Sequence, residues 1–579
     1  MTPNVTRPTG GRASINNTHE GGVLRSHRGS REDSRIANWR QLRSDIHWRR
    51  LLFPSRLRNG GFVLLLWLGT ATAVQSQSNV QVSVEWTQKS EVSKTESSSV
   101  TLIPYPLIRK GRPLHEPVMS ALQSLDARYH RLLPYCTHPR LSIAALYPPT
   151  KDRTFWDFSL IDPEVIAFLD ATKGREPILN FGPIPLWMFK GGDSVVYATD
   201  PDKVDWRPCG SLLPGRALVD PTGNQVAQYF ARIASWYTQG GFTDELGQYH
   251  HSGYHYEIPW WGVLNEPDIE HAFTPQQYTR IYDAVVEAVR KVSPRTKFRG
   301  MGLSTTTHDF VEYFLNPHNH RPGTPIDMAS IHWFSVPPIG QSMDAVQYSM
   351  FDQLSVAVDS MAYIDAIRRR LSPQTRITVG ELGILMSEDL FAVYGAKPFD
   401  TTNHTPKLWW NLAAAFYAVA FIELSKKGAD IISTAHFIGY PPEMMPSVGV
   451  VDPESGKPHP QFYVLKLLRE QLSLSRRWVQ TTASYATGPA KGLRSKDIVA
   501  QAFQTDRGRG LLLVNKRSSS INVMIDSPPP IESIQTIDES GVTQSTSMEG
   551  GATSDIRLRP FAVTIIGFKE YENDSKRSE

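Results

Sequence analysis

Two glutamates offer the clearest chemistry in this sequence. Glu266 closes the apolar run Trp260-Trp261-Gly262-Val263-Leu264-Asn265-Glu266-Pro267, and Glu381 closes Ile377-Thr378-Val379-Gly380-Glu381-Leu382-Gly383. Each run reads as a short strand that delivers a carboxylate and then stops. Two carboxylates facing each other across one pocket are the equipment for cleaving a glycosidic bond. A parallel barrel gathers the C-terminal ends of its strands around a single pocket, which would bring the two together. They are 115 residues apart. A β/α unit takes about 30 residues or more, so about three units separate them. That spacing predicts Glu266 at the end of strand 4 and Glu381 at the end of strand 7.

The elements needed for such a barrel can be read along the chain. Strands are expected at Val100–Tyr105, Leu141–Leu146, Ile178–Phe181, Ile258–Leu264, Phe298–Leu303, Met328–His332, Ile377–Gly380 and Ile431–Phe437. Helices are expected between and after them at Glu116–Leu133, Asp162–Ala171, Asn224–Thr238, Pro275–Val292, Asp309–Leu315, Phe351–Arg370, Leu408–Lys427 and Gln461–Leu472. Alternation of this kind makes a parallel α/β sheet, and eight repeats make a TIM barrel. The barrel is assigned to 98–472. Short strands split by Gly, Ser and Pro clusters follow at Asp497–Phe503, Gly510–Val514, Ile521–Ile525, Ser533–Ile537 and Phe561–Phe568. They predict a β-sandwich over 473–570. Val80–Trp86 alternates at strand period and is expected to add an edge strand to it.

Composition excludes several classes. At 579 residues the chain exceeds one ordinary domain. Two cysteines exclude a disulfide framework and a Cys-rich zinc site. Cys136 precedes the expected strand 2 and Cys209 follows strand 3, so they either pair in an oxidising compartment or stay as two thiols. No His, Cys or carboxylate set has metal-ligand spacing, and no Gly-rich phosphate loop follows a strand, so neither metal nor cofactor is expected. Of 61 basic and 57 acidic residues, 1–59 take twelve arginines and four acids, leaving 49 against 53 in the rest. The body is mildly acidic, and no nucleic-acid footprint is expected.

The Arg-, Ser- and Asn-rich segment 1–59 reads as disordered. At 60–77 lies an apolar run whose core, Gly61 to Val74, is 14 residues long. As a helix it would span ~21 Å at 1.5 Å per residue, short against a hydrocarbon core of about 30 Å. Arg56 and Arg58 before it and Ala71-Thr72-Ala73 after it give the order of a signal peptide. The expectation is a secreted protein, or one held by a type II membrane anchor at 60–74. Asn403-His404-Thr405 and Asn573-Asp574-Ser575 are glycosylation triplets consistent with secretion.

An Asn-Glu-Pro triplet ending strand 4 and a Glu ending strand 7 resemble the signature of the clan A retaining glycoside hydrolases. Within that clan the chain is most similar to family 39, which includes β-xylosidases and α-L-iduronidases. Four further segments carry the likeness: Phe155-Trp156-Asp157-Phe158-Ser159-Leu160-Ile161-Asp162, Phe181-Gly182-Pro183-Ile184-Pro185-Leu186-Trp187-Met188, the aspartate in Asn265-Glu266-Pro267-Asp268, and Ser330-Ile331-His332. Leu558-Arg559-Pro560-Phe561-Ala562-Val563 resembles the last strand of that family's β-sandwich, and the likeness covers 98–568. It implies Glu381 as nucleophile and Glu266 as general acid and base. It further implies that Asn265 donates to the sugar 2-hydroxyl and the nucleophile, that His332 bonds the acid or the sugar, and that Trp187 forms an aromatic wall for a carbohydrate.

The sequence also departs from that pattern. Trp333 and Phe334 stand where a tyrosine often follows the strand 6 histidine. Ala435-His436-Phe437 replaces the strand 8 tryptophan, and the expected strand 2 exit has no arginine. The alternatives are a catalytically impaired barrel that binds glycans, or a membrane-anchored wall protein.

Overall fold

The computed structural model describes residues 79–88, 92–209, 217–338, 340–389, 405–439, 445–472, 476–546 and 555–569. The segment 1–59, the apolar run at 60–77 and the asparagines of both glycosylation triplets lie outside the described residues.

Eight parallel strands close into a barrel: β1 (Glu96–Leu102), β2 (His130–Leu132), β3 (Ile178–Leu179), β4 (Trp260–Gly262), β5 (Lys297–Leu303), β6 (Met328–Ser335), β7 (Arg376–Ile384) and β8 (Ile431–Thr434), with β8 pairing back onto β1. Around it run α1 (His115–Leu125), α2 (Asp162–Ala171), α3 (Asn224–Thr238), α4 (Pro275–Val292), α5 (His308–Leu315), α6 (Met343–Leu371), α7 (Lys407–Ser425) and α8 (Pro460–Gln471). The fold is therefore the expected (β/α)8 barrel. Local sequence explains the clean elements. In α4 the side chain of Thr274 accepts from the Gln277 N–H and Gln277 reciprocates, a capping box, with proline at the first turn. Its apolar residues Tyr278, Ile281, Tyr282, Val285 and Val289 recur at helical spacing and are buried.

The second strand differs from expectation. The helix predicted to run to Leu133 ends at Leu125, where Asp126 turns left-handed at φ 53°. Strand β2 follows four residues later, and Leu141 lies in a 3-10 turn, Pro139–Leu141. Tyr129 and Leu132 keep helical spacing from Leu125 but serve the barrel. Tyr129 packs with Ile178, Trp260, Met328 and Ile431, and Leu132 enters the main core. A three-residue strand is too short for its own period to show against that coincidence.

Two further sheets form the second domain. Thr481–Tyr485, Asn79–Val84, Ile521–Ile525 and Asp555–Leu558 make one; the other has seven strands, Val563–Phe568 and Gly508–Asn515 among them. Val80, Val82, Val479, Leu511, Leu513, Ile521, Val523 and Ile566 are buried in one cluster there. The segment Asn79–Val84 is an interior strand and not the expected edge. It pairs antiparallel with Thr481–Tyr485 and parallel with Ile521–Ile525. Chain from both sides of the barrel thus builds this domain. Val92–Ser93 also joins the seven-stranded sheet, beside Arg476–Val479.

Candidate active site

Glu381 sits within β7, and the pairing of β6 with β7 sets His332 directly beside it, just past a register shift at Ile331/His332. Both side chains are buried. Gly380, one residue earlier, leaves room that a side chain would take. A Cβ there would collide with the guanidinium of Arg299 and the hydroxyl of Ser330.

Glu266 reaches the same place by a contorted route. Beyond β4, Leu264 and Glu266 adopt positive φ, 62° and 37°. Such conformations are costly for residues with a Cβ and mark positions that the surroundings hold in place. Here the Glu266 N–H donates to the Gly302 carbonyl at 3.0 Å and the Val263 N–H to Arg299 O at 2.9 Å. Asn180 Nδ2 donates to Leu264 O at 2.9 Å. Gly302, itself at φ 72°, faces both His332 Nε2 and the Glu266 amide. The outcome is that one donor atom each from Glu266, His332 and Glu381 lie within 4.8 Å of one another.

Arg131 in β2 ties these groups together. It is 2% exposed. Its Nη1 donates to Glu381 Oε1 at 2.6 Å, its Nε to Asn180 Oδ1 at 3.0 Å, and its Nη2 to Asn265 Oδ1. Sequence reasoning placed strand 2 too late and so found no arginine there; the side chain that grips Glu381 comes from the true strand. A second buried cation, Arg299 in β5, donates to Asn180 Oδ1 at 3.0 Å, to Ser330, and to His332 Nε2 at 3.4 Å. Guanidinium only donates. Nε2 of His332 must therefore accept, and Nδ1 carries the proton and gives it to Glu266 Oε1 at 2.9 Å. The same Nδ1 lies 3.7 Å from Glu381 Oε2.

Electrostatics set the two carboxyls apart. Burial, the neighbouring charges of Glu381, Glu270 and Asp268 raise Glu266 well above the usual carboxyl range, and Arg131 only partly opposes them. Burial also works to raise Glu381, but His332, Arg131 and His436 outweigh it and leave that carboxyl at about 2. His332 is itself held at about 3 by burial. It is uncharged near neutrality, so Arg131 is the lasting counter-charge. Two titratable groups driven in opposite directions are the mark of an acid and a nucleophile sharing a site.

The spacing of Glu266, His332 and Glu381 could bridge a small cation by distance alone. Positive charge is already built in, however, with Arg131 on Glu381 and Arg299 on His332 Nε2. The donor set is that of a carboxylate pair.

The remaining expected residues fall differently. Asn265 is buried beside the pair; its oxygen accepts from Arg131 and its Nδ2 donates to Glu270 Oε1 at 2.7 Å. Trp187, expected as an aromatic wall, lies in the turn Leu186–Met188 within the core and donates its indole N–H to Ala145 O at 2.8 Å. His436, at the exit of β8, is buried with φ 46° and acts electrostatically on Glu381. Cys136 and Cys209 form a disulfide with Cα atoms 5.2 Å apart, fastening the loop after β2 to the one after β3.

No family model and no curated protein sequence matches the chain. Solved structures do. The chain is similar to the GH51 arabinofuranosidase from Xanthomonas axonopodis pv. citri, with TM-score 0.57, 11% identity, and 85% of this chain and 100% of that one covered. A conserved exported protein from Bacteroides fragilis has TM-score 0.55 and 10% identity, with 84% and 99% covered. The thermostable GH51 alpha-L-arabinofuranosidase from Thermotoga petrophila RKU-1 has TM-score 0.51 and 13% identity, with 85% and 100% covered. At these identities the likeness is one of fold. It supports the (β/α)8 barrel and does not single out family 39.

Proposed function

We propose that this chain is a retaining glycoside hydrolase acting through a covalent glycosyl-enzyme. The observation that carries the reading is the pair of partly buried Glu266 and buried Glu381, with one oxygen of each within 4.8 Å and proton affinities pushed in opposite directions. Retaining enzymes hold their carboxyls roughly 5 Å apart, too close for water to attack from between them.

In this reading ionised Glu381 attacks the anomeric carbon while protonated Glu266 gives its proton to the departing oxygen. The Glu266 carboxylate so formed accepts from His332 Nδ1–H. It then takes a proton from water, which attacks the anomeric carbon and frees Glu381. Arg131 keeps Glu381 ionised before attack and receives it again on release. The barrel fold shared with arabinofuranosidases is consistent with this chemistry. Membership of family 39 and an oligo- or polysaccharide substrate extend the proposal. So does secretion or a type II anchor at 60–74, which the Cys136–Cys209 bridge favours by requiring an oxidising compartment.

A panel of nitrophenyl glycosides, pentosides, hexosides and uronides included, tests the reading. Turnover of at least one, abolished in both Glu381→Gln and Glu266→Gln against a natural-type alkyl glycoside, is the expected result. No turnover on any member, with glycan binding retained, would make the barrel a binding protein.

A further inference from the structure

We propose that Glu270 is a positioning residue of this site: its carboxyl holds the Asn265 amide by the NH₂ end, so that the amide oxygen faces Arg131 and Arg131 faces Glu381. The inference rests on the reading of Glu266 and Glu381 as the catalytic pair.

The chain delivers Glu270 there by a tight turn after Glu266. The N–H groups of Ile269 and Glu270 donate to the Glu266 carbonyl at 3.0 and 2.8 Å, and the Phe273 N–H donates to Pro267 O at 2.9 Å. The turn folds the carboxyl back under Asn265, where it is 3% exposed. A side-chain amide has one accepting end and one donating end, and the two are interchangeable unless the neighbours choose. Arg131, which only donates, claims the oxygen. Glu270 Oε1 claims the NH₂ at 2.7 Å. Both neighbours thus demand one orientation. Without Glu270 the amide NH₂ would lose its acceptor, and Asn265 would be held only at its oxygen by Arg131. Asn265 retains its second N–H for a sugar hydroxyl.

Glu270 is also a third carboxyl beside two others. Burial raises it to about 8, and Glu381 adds to the shift; Asn265, a bond from Tyr135 and the charge of Arg131 oppose it. Its charge in turn raises Glu266. The groups facing it are therefore Tyr135 and Arg131 from the β2 side, Glu266 from its own turn and Glu381 from β7. The alkaline limb of any pH profile belongs to Glu266 and Glu270 together.

Two variants test the assignment. Glu270→Gln keeps an oxygen for Asn265, so kcat on the best nitrophenyl glycoside at pH 6 should stay within about threefold, the scale of a retained hydrogen bond. The alkaline limb should move down by about one pH unit, because Glu266 loses a like-charged neighbour. Glu270→Leu removes the acceptor, so kcat should fall at least about tenfold with KM within about threefold. Infrared difference titration of the protonated-carboxyl band needs no substrate and serves even if the Leu variant fails to fold. The wild type should lose the protons of Glu164, Glu266 and Glu270, all raised above the ordinary carboxyl range by burial. Glu270→Gln should lose one proton fewer, with the midpoint that belongs to Glu266 lower than in the wild type. An unshifted midpoint, or a Gln variant as impaired as Leu, overturns the assignment. Absence of turnover in the wild type would instead sink the catalytic reading, with the infrared result still standing.

Discussion

Arg131 Nη1 lies 2.6 Å from Glu381 Oε1, and the side chains of the pair are 2% and 5% exposed. A buried charge held by a single guanidinium depends on it, since removing one partner strands the other. Arg131→Met should destabilise the fold by about 3–5 kcal/mol and lower kcat/KM at least about a hundredfold. The acid limb of the pH profile should move up, because burial then acts on Glu381 with only His332 and His436 opposing it. The sign for stability follows. Glu381 sits at about 2 against an ordinary 4.5, so its contribution is present above pH 4.5 and lost as pH falls through 2. The variant should lose that acid dependence. Thermal unfolding from pH 2 to 7 would show it, and an unchanged acid profile would break the link between the two residues.

His332 should matter more to the second chemical step than to the first. Its Nδ1–H steadies Glu266 as a carboxylate, the form needed to activate water. For His332→Phe we predict a loss of about 10–10²-fold in steady-state turnover, with a burst of nitrophenolate that the wild type lacks. A slow first step with no burst would remove His332 from this role.

Glu266→Ala separates acid from base catalysis. A nitrophenolate leaves without a proton, so glycosyl-enzyme should still form and then accumulate. Azide should enter the space left by the carboxylate, restore turnover and give a glycosyl azide of retained configuration. Equal loss on activated and alkyl glycosides, with no azide rescue, would show that Glu266 is not the acid and base.

The Cys136–Cys209 bridge closes a separation of 73 residues. By chain entropy such a loop is worth about 4 kcal/mol. A digest without reductant should contain the linked peptide, and the Cys136→Ser, Cys209→Ser double variant should unfold several degrees lower. Two alkylatable thiols in the folded protein, purified without reductant, would refute the bridge.

The convergence of Glu266 and Glu381 was legible because the apolar runs through β4 and β7 lead to, or carry, a single carboxylate at a separation set by β/α units. Helices α2, α3 and α4 were legible to the residue because each has a cap, a proline or a sustained apolar face. What stayed hidden lies in the shortest strands. With β2 only three residues long, Arg131 fell inside the helix expected to run to Leu133, although it carries the counter-charge for Glu381. Glu270 gave no signal, because its role comes from a backbone turn and not from any period. Trp187 could not be placed from sequence because an aromatic residue at a strand exit can face the pocket or the core; the structure has it in the core, its indole bonded to the Ala145 carbonyl.

The central claim is that Glu381 forms a bond to the sugar, and trapping that bond is its most direct test. The 2-deoxy-2-fluoro analogue of the glycoside turned over fastest, carrying a good leaving group, slows both steps but release most. Intact-mass and peptide analysis should then find one fluoroglycosyl unit per chain, on the peptide that carries Glu381. A label on Glu266, Glu270 or any other residue, or no label with a sugar the enzyme hydrolyses, would contradict the account.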